Sequence, residues 1–477
     1  MSSPKPAKVG AGLELKQRIE DEYKNWMVAA PQIYDVCMAK RLKWPSLTCE
    51  WLPGFLESPV EGWNRHQLLL GTHTDGDEGN ELLIACVDLP DVDTEIDTSK
   101  DFGRDTCEVV LRLAHPGGEV NRARHCPQRP TLIATRPAAA ACCVFDTEKA
   151  AAEADAAKRG PAIMLRGHGE EGYGLAWNPH VPGELYTVAN DGTLCGWDVA
   201  AAAGDATTPS WFAQASEVAL SDVAFTPRDP WTLGAVGDDR AVKLWDTRKP
   251  DGAALARADA HAADVNAIAF PTFAGDDAAP ASLFRFLTGS ADRTVKLWDM
   301  RQLAEPLHVF ENFFDGDVLQ VQWSPHETDV FAAAGADRRV TFFDVSRVGR
   351  APPPPGDGAG DDDDDDDAPP ELVFAHGGHK AAVSEFSLSE EDRWLCASVS
   401  EDNFLQVWCV GEHIFEDEDE GAPQPPKPPT PQPSPAKRNA PASPGKTLVE
   451  SVCSAMPVPS PAKKVKVIGG DDAKEDA

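Results

Sequence analysis

Short segments of alternating apolar and polar residues recur along the middle of the chain, and each one closes on the same phrase. An Asp in a turn is followed six residues later by an aromatic residue, as in NDGTLCGWD, DDRAVKLWD and ADRTVKLWD. Alternation with a period of two predicts β-strands, and the fixed distance from turn to aromatic residue predicts one hairpin built repeatedly. This pattern favours a repeat architecture that serves as a binding platform over an enzyme. The pairs are Asp191/Trp197, Asp239/Trp245, Asp292/Trp298, Asp337/Phe343 and Asp402/Trp408.

The phrases return at a regular interval. Their ends are separated by 48, 53 and 45 positions, and the next interval of 65 falls to 45 without the 20-residue insertion Ala351–Pro370, which has no strand pattern. A weaker phrase lies 52 residues before the first of these ends. WD-type repeats of four strands have about 40–45 residues, so the period indicates such repeats with lengthened loops. The phrases end at Asp146, Asp198, Asp246, Asp299, Asp344 and Cys409.

Six repeats are visible, and closure of a ring predicts a seventh near the N-terminus, because a propeller needs protected strand edges. We predict that residues 66–114 form the first blade and that Ser46–Leu52 is the closing strand of the last blade. The predicted fold class is all-β, a seven-bladed WD-repeat β-propeller with an N-terminal α-helix and a disordered C-terminal tail. The predicted boundaries are a disordered N-terminus at 1–12, the helix at 13–31, the propeller at 32–411 with its acidic, Pro-rich loop insertion at 351–370, and the disordered acidic, Pro-rich tail at 412–477.

A histidine stands ahead of the innermost strand in several repeats. His168, His261 and His379 fit this position, and His115 fits it less well. Such groups are costly to bury without hydrogen bonds, so we expect bonds that join the histidine, the turn Asp and the Trp within a blade. The histidines are therefore predicted to be structural rather than catalytic.

The helix ahead of the ring is amphipathic. Ile19, Tyr23, Trp26, Met27 and Ala30 follow the spacing of a single apolar stripe. A proline at position 31 is expected to end it. The pattern predicts a helix that docks on the side of the propeller, with a free flank that forms one wall of a groove.

The chain is strongly acidic, with a formal net charge of −34. A surface of this sign repels phosphate backbones and attracts basic proteins, so direct nucleic-acid binding is not expected. The alternative is that the acidity serves solubility alone. The eleven Cys have no metal-binding spacing, which predicts reduced thiols in an intracellular protein and no metal or cofactor. No apolar run approaches the length of a membrane span.

Four acids fall in register at the start of the innermost strands. They are Glu119, Glu171, Asp264 and Asp317, and two other repeats have Ala at this place. Acids that converge on one rim of the channel would suit the Lys and Arg side chains of an extended peptide. The alternative is a set of solvated loop ends.

Two segments outside the strands carry further charge. The insertion contains seven consecutive Asp, from Asp361 to Asp367, and could form the second wall of a groove beside the helix, or be a disordered spacer. The tail contains a basic cluster at Lys463, Lys464 and Lys466 that matches a short nuclear-import signal.

Several long phrases carry a resemblance that covers roughly residues 14–415. They are YKNWMVAAPQIYD, KWPSLTCEWLP, LLLGTHT, GEVNRAR, EGYGLAWNP, TGSADRTVKLWD, VQWSPHET, PPELVFAHGGH and SVSEDNFLQVW. In these phrases the chain resembles the histone-binding WD-repeat proteins, namely the retinoblastoma-binding proteins and the small subunit of chromatin assembly factor.

The resemblance implies two binding sites. The first is a groove for the first helix of histone H4, between the N-terminal helix and the loop that ends in Pro-Pro. The second is the propeller rim, which takes the basic tail of histone H3 or basic peptides of partner proteins. The groove positions are Ile33, Asp361, Asp362, Asp363, Asp364, Asp365, Asp366, Asp367, Pro369, Pro370, Glu371, Leu372 and Phe374. The rim positions are Trp44, Pro45, His73, Glu119, Asn121, Glu171, Tyr173, Asn266, Asp317, Phe374 and Glu401.

The chain departs from the family pattern at four of the expected contact positions. Lys43 and Ser221 stand where the family usually has acids, which predicts weaker rim affinity for Lys and Arg. Gln32 and Ala375 stand where bulky apolar residues are expected in the groove. The long Asp run offsets this loss by electrostatic attraction, so groove binding is expected to depend strongly on salt.

The sequence thus predicts a nuclear, non-catalytic adaptor for histones H3 and H4 within chromatin assembly, deacetylase, remodelling and Polycomb complexes. No Gly loop for phosphate, metal spacing or nucleophile elbow points to an enzyme. An alternative function uses the WD-x-Arg boxes that end at Arg248 and Arg301, which match those of substrate receptors of cullin ubiquitin ligases. In that case a ligase adaptor would be a partner.

Overall fold

The chain forms one long helix followed by seven sheets in a ring. The computed structural model describes residues 7–411 and residue 414, apart from 61, 77, 91–105, 203–204, 207, 250–251, 272–281 and 351–368. Six sheets have four strands and one has five. The predicted seven-bladed propeller with an N-terminal helix is confirmed. Within the described residues, no helix is long and apolar enough to cross a membrane.

The N-terminal half contains the helix and the first three blades. Helix α1 (Ala7–Ile33) runs directly into β1 (Tyr34–Arg41). Blade 1 comprises β2 (Cys49–Glu57), β3 (Trp63–Gly71), β4 (Asn80–Pro90) and β5 (Cys107–His115). Blade 2 comprises β6 (Val120–Cys126), β7 (Arg129–Pro137), β8 (Cys142–Asp146) and β9 (Ile163–Leu165), with α2 (Thr147–Ala152) and a 3-10 turn (Ala156–Lys158) before β9. Blade 3 comprises β10 (Leu175–Trp177), β11 (Glu184–Val188), β12 (Thr193–Asp198) and β14 (Trp211–Gln214), whereas β13 (Asp205–Ala206) joins blade 2 beside β9.

The remaining four blades follow the same plan. Blade 4 comprises β15 (Leu220–Phe225), β16 (Thr232–Gly237), β17 (Val242–Asp246) and β18 (Leu255–Arg257). Blade 5 comprises β19 (Val265–Ala269), β20 (Arg285–Ser290), β21 (Val295–Asp299) and β22 (His308–Phe310), with a 3-10 turn at Ser282–Phe284. Blade 6 comprises β23 (Val318–Trp323), β24 (Val330–Gly335), β25 (Val340–Asp344) and β26 (Leu372–His376), with a 3-10 turn at Val345–Arg347. Blade 7 comprises β27 (Val383–Leu388), β28 (Leu395–Ser400), β29 (Phe404–Val410) and β1.

The recurring Asp of the repeat phrases caps a tight turn between the second and third strands of its blade. In each case the Asp carboxylate accepts a hydrogen bond from the backbone N–H two residues later, at 3.0–3.2 Å. The residue between them has a positive φ of 59–71°. Asp is suited to this turn because its short side chain bonds its own backbone. The intervening residues are Gly192, Arg240, Arg293, Arg338 and Asn403.

The ring is closed by a different segment from the one predicted. Strand β1 pairs antiparallel with β29, with Cys37 opposite Trp408, and so becomes the outermost strand of blade 7. The predicted closing segment Ser46–Leu52 instead supplies the start of β2, the innermost strand of blade 1. The prediction was wrong because β1 follows the helix without a turn signal. Closure by the N-terminal strand joins both ends of the ring and covers its open edge.

The helix is also longer than predicted. It begins at Ala7, within the segment 1–12 predicted to be disordered, and continues past Pro31 to Ile33. A proline removes only its own donor, so it is tolerated in a last turn that is held in place by packing. Ala30 is fully buried there, whereas Met27, predicted to share the stripe, is 46% exposed.

The core consists of apolar layers between neighbouring blades. Between blades 1 and 2, for example, Leu69, Val120 and Phe145 are fully buried in one cluster. Because every blade packs on two neighbours, the ring holds the innermost strands at fixed positions around the channel.

Candidate functional site

The predicted hydrogen bonds within blades are present, and they hold the histidines in structural roles. In blade 3, the His168 ring lies 2.7 Å from the Thr187 hydroxyl, which also accepts a bond from the Trp197 indole at 2.9 Å. The sequence prediction missed this bridging hydroxyl on the second strand. Thr288 and Ser398 bridge His261 to Trp298 and His379 to Trp408 in the same way.

The start of every innermost strand is fixed by one backbone hydrogen bond that recurs in all seven blades. The carbonyl just ahead of the strand accepts from the N–H that follows the second strand. We call these residue pairs the rim. The bonds run from His73 to Pro45, Ala138 to Glu119, Asn190 to Glu171, Asp238 to Ala219, Ala291 to Asp264, Ala336 to Asp317 and Glu401 to Ala382, at 2.8–3.1 Å.

The rim therefore brings the four in-register acids to equivalent positions in blades 2, 3, 5 and 6. Glu119 and Glu171 are half-buried, and Asp264 and Asp317 are exposed. A second row of rim residues, on the donor side of the same bonds, contains two more exposed acids, Asp238 and Glu401. The resulting surface offers carboxylates from most of the seven blades, which can bind cations through charge-assisted hydrogen bonds.

Asp238 is the rim acid that the sequence prediction missed. Burial and the neighbouring carboxylates of Asp264 and Asp239 raise the pKa of Asp238, while a hydrogen bond with Ser221 opposes the rise. A cation bound among these carboxylates would relieve their repulsion. The acid expected at position 221 is thus replaced by a neighbour from the adjacent strand, which pairing in space brings close and sequence order does not.

Bulges in the innermost strands position the residues just inside the rim. The register shifts after the first residue of β6, β15, β19, β23 and β27, and a bulge of this kind re-aims a side chain. The bulged residues include Asn121 and Asn266, whose amides donate to Gly172 O at 3.4 Å and Val318 O at 2.9 Å in the next blade. Because Asn121 is only 2% exposed, it joins blades beneath the rim surface.

Tyr173 presents the exposed aromatic ring of the rim. It is 43% exposed, and burial together with the carboxylates of Glu171 and Glu119 raises its pKa. A ring flanked by two carboxylates suits a Lys or Arg side chain, which gains both a cation–π contact and an ion pair.

Blade 1 forms the edge of the rim. His73 Nε2 lies 3.9 Å from Glu119. Lys43, expected to weaken this edge, has its ammonium 2.6 Å from Glu78, and the Trp44 indole donates to the same carboxylate at 3.0 Å. The Lys43 charge is therefore countered locally by Glu78.

Phe374 does not lie at the rim. It belongs to β26, the outermost strand of blade 6, where its ring packs on Tyr34 at 5.8 Å and on Trp408 at 6.2 Å. Leu319 is the residue that follows Asp317 and Val318 into the innermost strand. The placement of Phe374 supports only its second predicted role, at the helix groove.

Below the rim, a buried ion network crosses the channel. Arg124 of blade 2 pairs with Glu385 of blade 7 at 2.6 Å, and Arg122 pairs with Asp222 of blade 4 at 2.6 Å. Burial would raise the pKa of Glu385, but the guanidinium groups of Arg124 and Arg122 outweigh this and lower it. The network fixes opposite sides of the ring to each other and forms a floor beneath the rim.

Helix α1 is anchored on blades 6 and 7. The Trp26 indole donates to the Tyr34 hydroxyl at 3.1 Å, and that hydroxyl lies 2.7 Å from Nδ1 of His376. Two ion pairs, Glu22 with Arg338 and Glu20 with Lys380, reinforce the contact at 3.0 Å each. The exposed flank of the helix keeps apolar side chains, including Met27 and Val28, the latter 79% exposed.

The predicted groove residues lie where the end of α1 meets β26. Ile33 and Phe374 pack against one buried cluster, and Leu372 packs against the neighbouring one, so each remains half-buried. Gln32 and Ala375 are exposed at this boundary. Pro369, Pro370 and Glu371 lead into β26, while residues 361–367 lie outside the described residues.

Other predicted positions lie elsewhere. Arg248 and Arg301 extend from the ends of blades 4 and 5, each bound to the Asp of its own box. The basic cluster at 463–466 lies outside the described residues. Among the described residues, no group of three or more His, Cys, Asp or Glu is placed to hold a metal ion.

Comparison with protein-family models agrees with this architecture. The WD domain, G-beta repeat model matches residues 211–246, 253–299 and 370–409. Each matched repeat starts with the outermost strand of one blade and ends with the third strand of the next. The chain is therefore a WD-repeat propeller protein.

A second family model gives a narrower classification. It describes the histone-binding protein RBBP4 or the corresponding member of the CAF1 complex, and it matches residues 21–91. This range spans most of α1, all of β1 and three strands of blade 1. The chain belongs to this family of histone-binding WD-repeat proteins.

Proposed function

We propose that the chain is a non-catalytic adaptor that holds histones H3 and H4 through two separate surfaces. The observation that carries this proposal is the rim, where acids of several blades stand at equivalent positions around Tyr173. A flexible basic tail can lay successive Lys and Arg side chains across these carboxylates, and the net charge of −34 attracts such a tail from a distance.

The second surface is the helix groove between α1 and the loop ahead of β26, which accepts an amphipathic basic helix. Ile33, Leu372 and Phe374 supply half-buried apolar surface, and Asp361–Asp367 supplies negative charge. This combination suits the first helix of histone H4, whose binding elements are implied by the family. Because that helix is covered within the nucleosome, free or partly unwrapped histones are the preferred guests.

The same proposal includes the setting in which the adaptor works. We assign it to the nucleus, with the basic residues Lys463, Lys464 and Lys466 as its import signal. There it would bring histones to chromatin assembly, deacetylase, remodelling and Polycomb complexes. Catalysis would belong to the other proteins of these complexes.

Replacing Asp361–Asp367 by Ser is expected to weaken binding of an H4 first-helix peptide by at least tenfold at low salt. The reason is that seven charges beside the groove are lost, while the apolar contacts at Leu372 remain. Isothermal titration at about 50 and 300 mM NaCl measures the effect, which should shrink at high salt because screening already removes the attraction.

A matched control changes a second acidic run, Glu416–Glu420, to Gln and Asn, which removes five charges elsewhere in the chain. This variant should retain the affinity of the wild type. Equal weakening by both variants would show that only total charge matters, and unchanged affinity of the Asp-run variant would refute the groove.

A second candidate function is that of a substrate receptor of a cullin ubiquitin ligase. It is favoured by the exposure of both box arginines, whose side chains are 58% and 55% exposed beside the aromatic rings of Trp231 and Phe284. Changing Arg248 and Arg301 to Ala should abolish copurification of a ligase adaptor without loss of histones. The pull-down, done on nuclear and cytoplasmic fractions, also tests localisation, because recovery from the cytoplasm alone would contradict the nuclear assignment. Retention of the adaptor by the double variant would eliminate this function.

A further inference from the structure

A cavity of about 400 Å³ lies at the end of the channel opposite the rim. It is lined by every blade, and each innermost strand contributes the residue five positions after its rim position. These residues are Glu50, Arg124, Ala176, Ala224, Ala269, Gln322 and Ser387. The volume lies in the range of about 300–1,000 Å³ that is typical of ligand sites in proteins. We call it the lower cavity.

The ion network separates the lower cavity from the rim. Arg122, Asp222 and Arg124 belong to both the network and the cavity lining. The two arginines are matched by the carboxylates of Asp222 and Glu385, so this roof carries no unmatched charge toward the cavity. A ligand must therefore enter from the face of the propeller opposite the rim.

One arc of the cavity wall is apolar. Blades 3, 4 and 5 place Ala176, Ala224 and Ala269 at equivalent positions toward the channel, and these small side chains leave the space open. Aromatic residues that line the same arc, Trp177 and Phe225 among them, are held almost fully buried by the core. The arc therefore offers rigid apolar surface rather than a collapsible loop.

The facing arc, from blades 7, 1 and 2, is polar and acidic. Burial opposes protonation of His125, but the Glu50 carboxylate at 3.0 Å outweighs it and raises the histidine pKa, so these two charges compensate each other. Glu390, at the mouth, is exposed, and no ion-pair partner of its carboxylate lies among the described residues. One uncompensated carboxylate thus faces an apolar wall.

We propose that the lower cavity binds a peptide segment in which an apolar side chain is followed by Lys or Arg. The apolar side chain would enter against the three alanines, and the cation would pair with Glu390 at the mouth. The match between an apolar arc, an opposite carboxylate and an acidic chain determines this choice of partner. The site is separate from the two histone surfaces and does not depend on them.

The test uses the full chain and the probe acetyl-Gly-(4-fluoro-Phe)-Lys-Lys-amide, followed by fluorine NMR line broadening. Binding is expected for the wild type and should weaken at least tenfold in Ala224→Phe, which fills the cavity. Glu390→Gln should weaken it about threefold, and a probe with Glu in place of Lys should bind at least tenfold more weakly. The rim variant Glu171→Gln should bind the probe like the wild type.

Three results would overturn the site. They are no broadening with the wild type at millimolar probe, unchanged affinity of Ala224→Phe, or loss of binding in Glu171→Gln, which would place the probe at the rim. Thermal melting checks the fold of each variant. If Ala224→Phe does not fold, Ala269→Leu replaces it as the filling variant, with the same expected loss and the same contrary result.

Discussion

Lowering the pH from 7 to 5 will destabilise the folded chain by about 6 kcal/mol, because buried histidines of the blades cannot take up protons. Burial lowers the pKa of His115 and His379 to about 4 and that of His168 to about 3, from an ordinary 6.5. The unfolded chain therefore binds more protons than the folded chain between pH 6.5 and about 4, and stability falls as the pH falls. Each group contributes about 1.4 kcal/mol per pH unit, or roughly 2 kcal/mol at pH 5.

Such a loss is comparable with the whole stability of a typical domain, about 5–15 kcal/mol. The pKa values of His261 and His376 are also lowered, which adds to the effect, whereas His125, whose pKa is raised, acts in the opposite direction. Most carboxylates titrate below this window, so the expected loss between pH 6.5 and 5 reflects the histidines.

Thermal and urea denaturation between pH 7.5 and 5.0 measures this dependence. His379→Gln provides the control, because it removes one titrating group. The variant should be less stable at pH 7.5 but should lose less stability on acidification than the wild type. Equal melting temperatures at pH 7.5 and pH 5.0 would contradict neutral buried histidines.

Neutralising three rim acids, in the variant Glu119→Gln, Glu171→Gln and Asp317→Asn, is expected to weaken binding of an H3 N-terminal peptide by roughly 150-fold. The estimate takes about 1 kcal/mol for each partly solvated ion pair with a Lys or Arg side chain, or about 3 kcal/mol in total. Folding should be little affected, because the backbone bonds of the rim use main-chain atoms alone.

The matched control neutralises three exposed acids away from the rim, in the variant Glu108→Gln, Glu148→Gln and Glu305→Gln. It changes the net charge by the same three units but leaves the rim carboxylates in place. Isothermal titration at physiological salt should show near wild-type affinity for this control. Loss of affinity in both variants would mean that the long-range field of the chain, rather than the rim, binds the peptide.

The sequence predicted the rim well because its acids are set by register. Glu119, Glu171 and Asp317 precede similar apolar phrases, and a fixed spacing along identical strands becomes an equivalent position in space. Asp238 was missed because it follows the second strand of its blade, and only strand pairing brings it beside Ser221 and Asp264. The cross-channel pair of Arg124 and Glu385, 261 positions apart, had no sequence signal at all.

By itself, the sequence determined the number of blades, the Asp-capped turns, the structural histidines and the acidic register, because each follows from local patterns repeated along the chain. The tertiary structure alone decided that β1 closes the ring, that Phe374 lies in the helix groove and not at the rim, and that an ion network divides the channel. These features depend on contacts between residues far apart in sequence, which form only when the two ends of the chain meet and all seven blades pack around one axis.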